Sequence, residues 1–145
     1  MKEAEASWDE CIEANSSIRR APNASKVKSL IDTALGRIDY VSKNELNENN
    51  INYIFEDYYS SLSEFMHALV ILKGYNVYNH ICLGFFLRDV INRQDLFRLF
   101  DDCRTKRNSL VYYGKKMDFE TAVIVIEKAK KLIAELENIV RELQK

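Results

Sequence analysis

Residues 103–117, CRTKRNSLVYYGKKM, hold five basic side chains, Arg104, Lys106, Arg107, Lys115 and Lys116, and no acidic one. Interleaved with them are Asn108, Tyr112 and Tyr113. Cations beside an amide and two phenols are a phosphate-binding inventory. A guanidinium presents paired donors in a planar fork, lysines add point charge, and phenols donate hydrogen bonds or stack on bases. On a helical wheel anchored at Leu96, Phe100 falls at about 40°, Cys103 at about 340°, Leu110 at about 320° and Val111 at about 60°, with Arg107 at about 20° inside the apolar stripe. Burying an unpartnered guanidinium costs several kcal/mol, so something must meet that charge. Two readings follow: an internal carboxylate or a snorkelling side chain at a helix end, or a bound phosphate.

The elements that must position these groups read as helices. One Pro and four Gly in 145 residues leave little punctuation, and 47% apolar with 30% charged residues describes a globular chain. Residues 3–20 place Ala4, Trp8, Cys11, Ile12 and Ile18 on one side, as an extra N-terminal helix. Residues 24–145 are expected to form the core bundle. Ser25 is the expected N-cap of a second helix that runs to about residue 42. KNELNENNIN is the main loop, and a third helix spans about 52–73, ended by Gly74. A fourth, about 76–91, is apolar nearly all round and is expected at the bundle centre. A fifth covers about 94–112, Gly114 closes it, Asp118 caps the sixth, and that one runs from Phe119 to about Leu143. The fold class is all-α: a single-domain antiparallel bundle of five or six helices.

Net charge is −1, so any nucleic-acid binding must use a local patch. Cys11, Cys82 and Cys103 are scattered and odd in number, which predicts free thiols in a reducing compartment. No metal spacing or glycine-rich phosphate loop is present, so no metal or cofactor is expected. The start lacks an apolar signal region, and ICLGFFL is far short of the ~20 residues of a membrane span, so the expectation is a cytoplasmic protein with no membrane contact. His67 is expected at the surface and His80 on the apolar fourth helix. Tyr53, Phe55, Tyr58 and Tyr59 are expected to be mostly core, with Tyr59 nearest the surface.

KRNSLVYYGKKMDFETA, with ALVILKGYNVYNHICLGFFLRDVI upstream, resembles the HEPN family (higher-eukaryote and prokaryote nucleotide-binding domains), most closely its archaeal branch, over about residues 20–145. The resemblance implies a homodimeric helical bundle in a defence or toxin–antitoxin system. Such proteins are metal-independent endoribonucleases or non-catalytic RNA- or nucleotide-binding modules, some paired with a nucleotidyltransferase. The family signature is Arg, a polar residue, several more residues, then His. Arg107 and Asn108 match it; Tyr112 stands where the His would be, and Gly114 where some toxins carry a modified Tyr. A phenol of pKa ~10 is only about 0.1% ionised at pH 7 and is a poor base, whereas an imidazole of pKa ~6.5 shuttles protons there. The resemblance therefore implies RNA or nucleotide binding by Arg104, Lys106, Arg107, Tyr113, Lys115 and Lys116. Arg107, Asn108 and Tyr112 form the degenerate catalytic motif, and ribonuclease activity is weak or lost. Two alternatives stand beside it: a non-enzymatic module docking a nucleotidyltransferase, and an active ribonuclease using His80 as base.

Overall fold

A computed structural model of the chain describes residues 5–145. Six helices and one short ribbon are present among them. They are α1 (Trp8–Glu13), β1 (Ser17–Arg19), α2 (Ala24–Ser42), α3 (Ile51–Leu72), β2 (Tyr75–Val77), α4 (His80–Phe85), a π-helical turn (Phe86–Val90), α5 (Gln94–Tyr113) and α6 (Phe119–Leu143). The all-α bundle expected from periodicity is what forms. No helix among the described residues is long and apolar enough to cross a membrane.

The helix ends follow local chemistry. Asn23, directly after Pro22, caps α2 by accepting from the Lys26 amide at 3.0 Å, one turn-residue pair earlier than the expected Ser25. Asp118 caps α6 by accepting from the Thr121 amide at 2.8 Å. That bond holds the Asp118 carboxyl below its ordinary range. Gly114 ends α5 at φ 62, in the left-handed region where a Cβ is disfavoured.

Helix α3 is the spine. It packs against α2 on one side and α6 on another, and it also meets α5 and β2. Phe55, Leu62, Phe65, Met66 and Leu69 are sealed from solvent along its length. The centre of the bundle is thus α3 rather than the 76–91 segment. That segment is buried as expected, but it is not one helix: it divides into β2, α4 and the π-turn. In the π-turn the Ile91 amide donates five residues back to the Phe86 carbonyl at 3.1 Å, and Asn92 takes a left-handed φ of 62. Arg88 leaves the turn to lie over the Phe85 and Phe97 rings, 4.7 and 5.2 Å from their centroids, and pairs with Asp89 at 2.7 Å.

The N-terminal reading needs correction. Ala4 lies outside the described residues. Helix α1 spans only Trp8–Glu13; the chain then turns through Asn15 at φ 59, and Ser17–Arg19 pair antiparallel with Tyr75–Val77. Three-residue strands carry too little alternation to be read from sequence. The ladder is extended at both ends, where the Arg20 amide donates to the Gly74 carbonyl at 2.9 Å and the Tyr78 amide to the Ser16 carbonyl at 2.8 Å. The expectation of three free thiols is also corrected. Cys11 and Cys82 form a disulfide, Cα atoms 6.1 Å apart, and Cys103 alone is free and buried. With the partners 71 positions apart in the chain, spacing could not reveal the pair.

One polar clamp ties the fifth–sixth helix turn to the spine. Buried Asn52 donates to the Met117 carbonyl at 3.0 Å and accepts from the Met117 amide at 2.9 Å. Asn52→Ala strands both groups, and a loss of about 2 kcal/mol in unfolding free energy is expected. Denaturant titration of the variant beside wild type checks it. A midpoint equal to wild type would mean that water replaces the clamp at no cost.

Candidate functional site

The last two turns of α5 carry the basic motif past the end of the core. Leu110 is the last buried residue of the stripe. Val111, expected inside it, is exposed, as are Tyr112 and Tyr113. Arg107 sits at this boundary and is half-buried. Its guanidinium carbon lies 5.5 Å from the Tyr59 ring centroid and 5.6 Å from that of Tyr112. Nη1 donates to the Tyr112 hydroxyl at 3.4 Å and to Asn108 Oδ1 at 3.5 Å, both at the long end of hydrogen bonding. Among the described residues no carboxylate pairs with it. The charge is met by two π-faces and two weak neutral acceptors, an arrangement that leaves donors for an incoming anion.

The cation that is buried is Arg104. It was expected among the phosphate-facing groups, yet it is only 6% exposed and is gripped by Asp101, with Nη2 to Oδ1 at 2.8 Å and Nε to Oδ1 at 3.3 Å. It adds positive potential to the site rather than an open fork. Lys115 and Lys116 lie exposed beyond Gly114, and Lys116 Nζ stands 5.7 Å from the centroid of exposed Tyr53. Tyr53, expected in the core, is a surface residue. Lys106 is exposed, and its charge helps hold the Asp118 carboxyl down.

Behind Arg107 stands Tyr59, which sequence reasoning placed nearest the surface. It is 2% exposed. Its ring stacks near Phe100 and tilts against Phe55, both centroids 6.3 Å away. Its hydroxyl lies 3.0 Å from His80 Nδ1. Burial pushes the phenol's pKa well above its ordinary value, against the opposing pull of Arg107 and Arg104. His80, the first residue of α4, is thereby brought to the motif through one intervening ring. Burial first, then Arg107 and Arg104, depress its pKa and favour the neutral imidazole. His67, expected at the surface, is half-buried with its ring centroid 6.1 Å from that of His80. Its pKa falls to about 4, chiefly through burial, with His80 and Lys26 adding repulsion.

Asn108 and Tyr112 therefore both lie within reach of the Arg107 guanidinium, His80 approaches through Tyr59, and Arg104 withdraws into the core. Nothing in the spacing of the sequence ties Tyr59 to Arg107. The only local signal is an adjacent Tyr58–Tyr59 pair on an amphipathic helix, and the structure buries both. Comparison with known proteins adds no relative: no family model matches the chain, and no curated protein and no solved structure matches it either.

Proposed function

We propose that the protein is a HEPN-like module that binds the phosphates of RNA or a nucleotide at the α5 C-terminus. The observation supporting this reading is Arg107: a permanent cation cradled on the Tyr59 and Tyr112 rings, paired with no carboxylate among the described residues, and flanked by exposed Lys115, Lys116 and Tyr113. Arg107 holds the phosphate, and Asn108 and Tyr112 orient it. Tyr113 and Tyr53 offer stacking faces to bases, and the lysines supply the salt-sensitive attraction. Tyr112 does not replace a histidine base, so strand cleavage is weak or lost in this reading.

The test is fluorescence anisotropy with a labelled single-stranded oligoribonucleotide at ~50 mM and ~150 mM salt. Affinity is expected to fall with salt. Arg107→Ala is expected to weaken binding by about tenfold or more, the scale of a lost charge-assisted hydrogen-bond pair, while Arg107→Lys loses less because the charge remains. Equal affinity of wild type and Arg107→Ala, with both folded by circular dichroism, would overturn the proposal.

A further inference from the structure

The contact between Tyr59 and His80 fixes more than position. A neutral imidazole carries one proton, and the nitrogen that holds it decides whether the ring can offer a base or a donor to a ligand. Tyr59 Oη and His80 Nδ1 are 3.0 Å apart, so one of the two donates. The phenol is nine-tenths or more buried, ringed by Phe55, Phe100, Arg107 and His80. Among the described residues Nδ1 is the hydrogen-bond partner of its hydroxyl. Were Nδ1 protonated and donating, the phenolic proton would be left buried without an acceptor, which costs about 1–3 kcal/mol. The phenol therefore donates, Nδ1 accepts, and the ring proton resides on Nε2.

We infer that Tyr59 is a positioning residue that locks His80 as the neutral Nε2–H tautomer, with Nδ1 occupied by the phenol and Nε2 already protonated, so that neither ring nitrogen is free to act as a general base. The charged and titratable groups around the ring agree with this assignment. Tyr59 and His67 face it from α3, Arg107 and Arg104 from α5, and no carboxylate among the described residues bonds to it. Both arginines oppose a second proton on the imidazole, and so does burial. For the same reason the ring is a poor proton acceptor: taking one at Nε2 requires moving the existing proton to Nδ1, against the phenol. The inference bears on the proposed anion site by denying it a base at His80, and it rests on the Tyr59–His80 geometry whether or not an anion binds.

Long-range nitrogen–proton correlation spectra of the histidine rings read the tautomer directly in the full-length protein. At pH 7 His80 is expected to show Nδ1 as the unprotonated nitrogen and Nε2 as the protonated one. Tyr59→Phe keeps the ring and removes only the hydroxyl, so it should release His80 to a mixture of both tautomers. A protonated Nδ1 in wild type, or a tautomer ratio unchanged in a folded Tyr59→Phe, would overturn the lock. Should that variant fail to fold, the wild-type spectrum alone decides. The tautomer is decided by the free protein's own resonances, so a failure of the oligoribonucleotide to bind would overturn the RNA reading and leave the lock to stand or fall by those resonances.

Discussion

Opening the Cys11–Cys82 bond is expected to lower the unfolding free energy by about 4 kcal/mol, the loop-closure value for a cross-link spanning 71 residues. The bond joins α1 to α4, both sulfur-bearing residues being fully buried. Without it, residues 5–19 are held by a three-residue ladder and a few side-chain contacts. Trp8 packs edge-on to Tyr75 and Phe86, its amide donates to Asp89 at 2.9 Å, Arg88 reaches the Ala6 carbonyl at 3.0 Å, and Asn79 donates to Glu5 at 3.0 Å. Chemical denaturation with and without a dithiol reductant measures the loss, and Cys11→Ala/Cys82→Ala should match the reduced wild type. Thiol titration of the unfolded, unreduced protein should find only Cys103. Coincident midpoints in all three samples would refute the stabilising role. The reaction should also be slow in native protein, because a reductant must wait for α1 to lift.

Much of this architecture could be read from periodicity and caps. Helix α6 begins and ends where the stripe from Ala122 to Val140 and the Asp118 cap place it, and Gly114 closes α5 as its backbone freedom requires. Legibility failed where structure depends on long-range pairing. The β1–β2 ladder joins residues near 18 and 76, and the disulfide joins 11 and 82; neither leaves a local signature. The site divides in the same way. Arg107, Asn108 and Tyr112 are neighbours on one helix and were visible as a motif. Arg104 lay at about 80° on the same wheel, outside the stripe, yet it is the more buried of the two arginines because Asp101, one turn back, makes burial tolerable. Tyr59 and His80 are 21 residues apart on different elements, so only the fold brings them to Arg107.

Acidification from pH 7.5 to 4.5 is expected to destabilise the protein through His67. Its folded pKa is lowered to about 4, chiefly by burial, against an ordinary value of 6.5. The unfolded chain therefore binds a proton in a range where the native one does not. Stability from this group is fully present above about pH 6.5, declines as pH falls, and levels off near pH 4. The full effect is on the order of 3 kcal/mol. His80, depressed in the same direction, adds to the loss. Asp95, Asp89 and Asp118, whose folded pKa values are lowered, contribute mainly at more acid pH. Denaturant midpoints of wild type and His67→Gln at the two pH values separate the contributions. The variant should lose less on acidification than wild type, by about 2 kcal/mol or more. An identical loss in both proteins would remove His67 from the account.

The wide turn at Phe86–Val90 sets the phase of the last residues of the α4 segment before the chain breaks at left-handed Asn92. Accommodating one additional residue in a turn offsets everything on its far side by about 100° and a fraction of the pitch. Excising a single residue there would let the backbone return to ordinary winding at little local cost. Asp89 would then rotate away from the Trp8 amide and Arg88 out of its aromatic slot, while the sulfur tether at Cys82, upstream of the offset, stayed in place. The N-terminal segment would remain leashed to the bundle yet lose its seat upon it, so a length change of one residue at this point would uncouple attachment from docking.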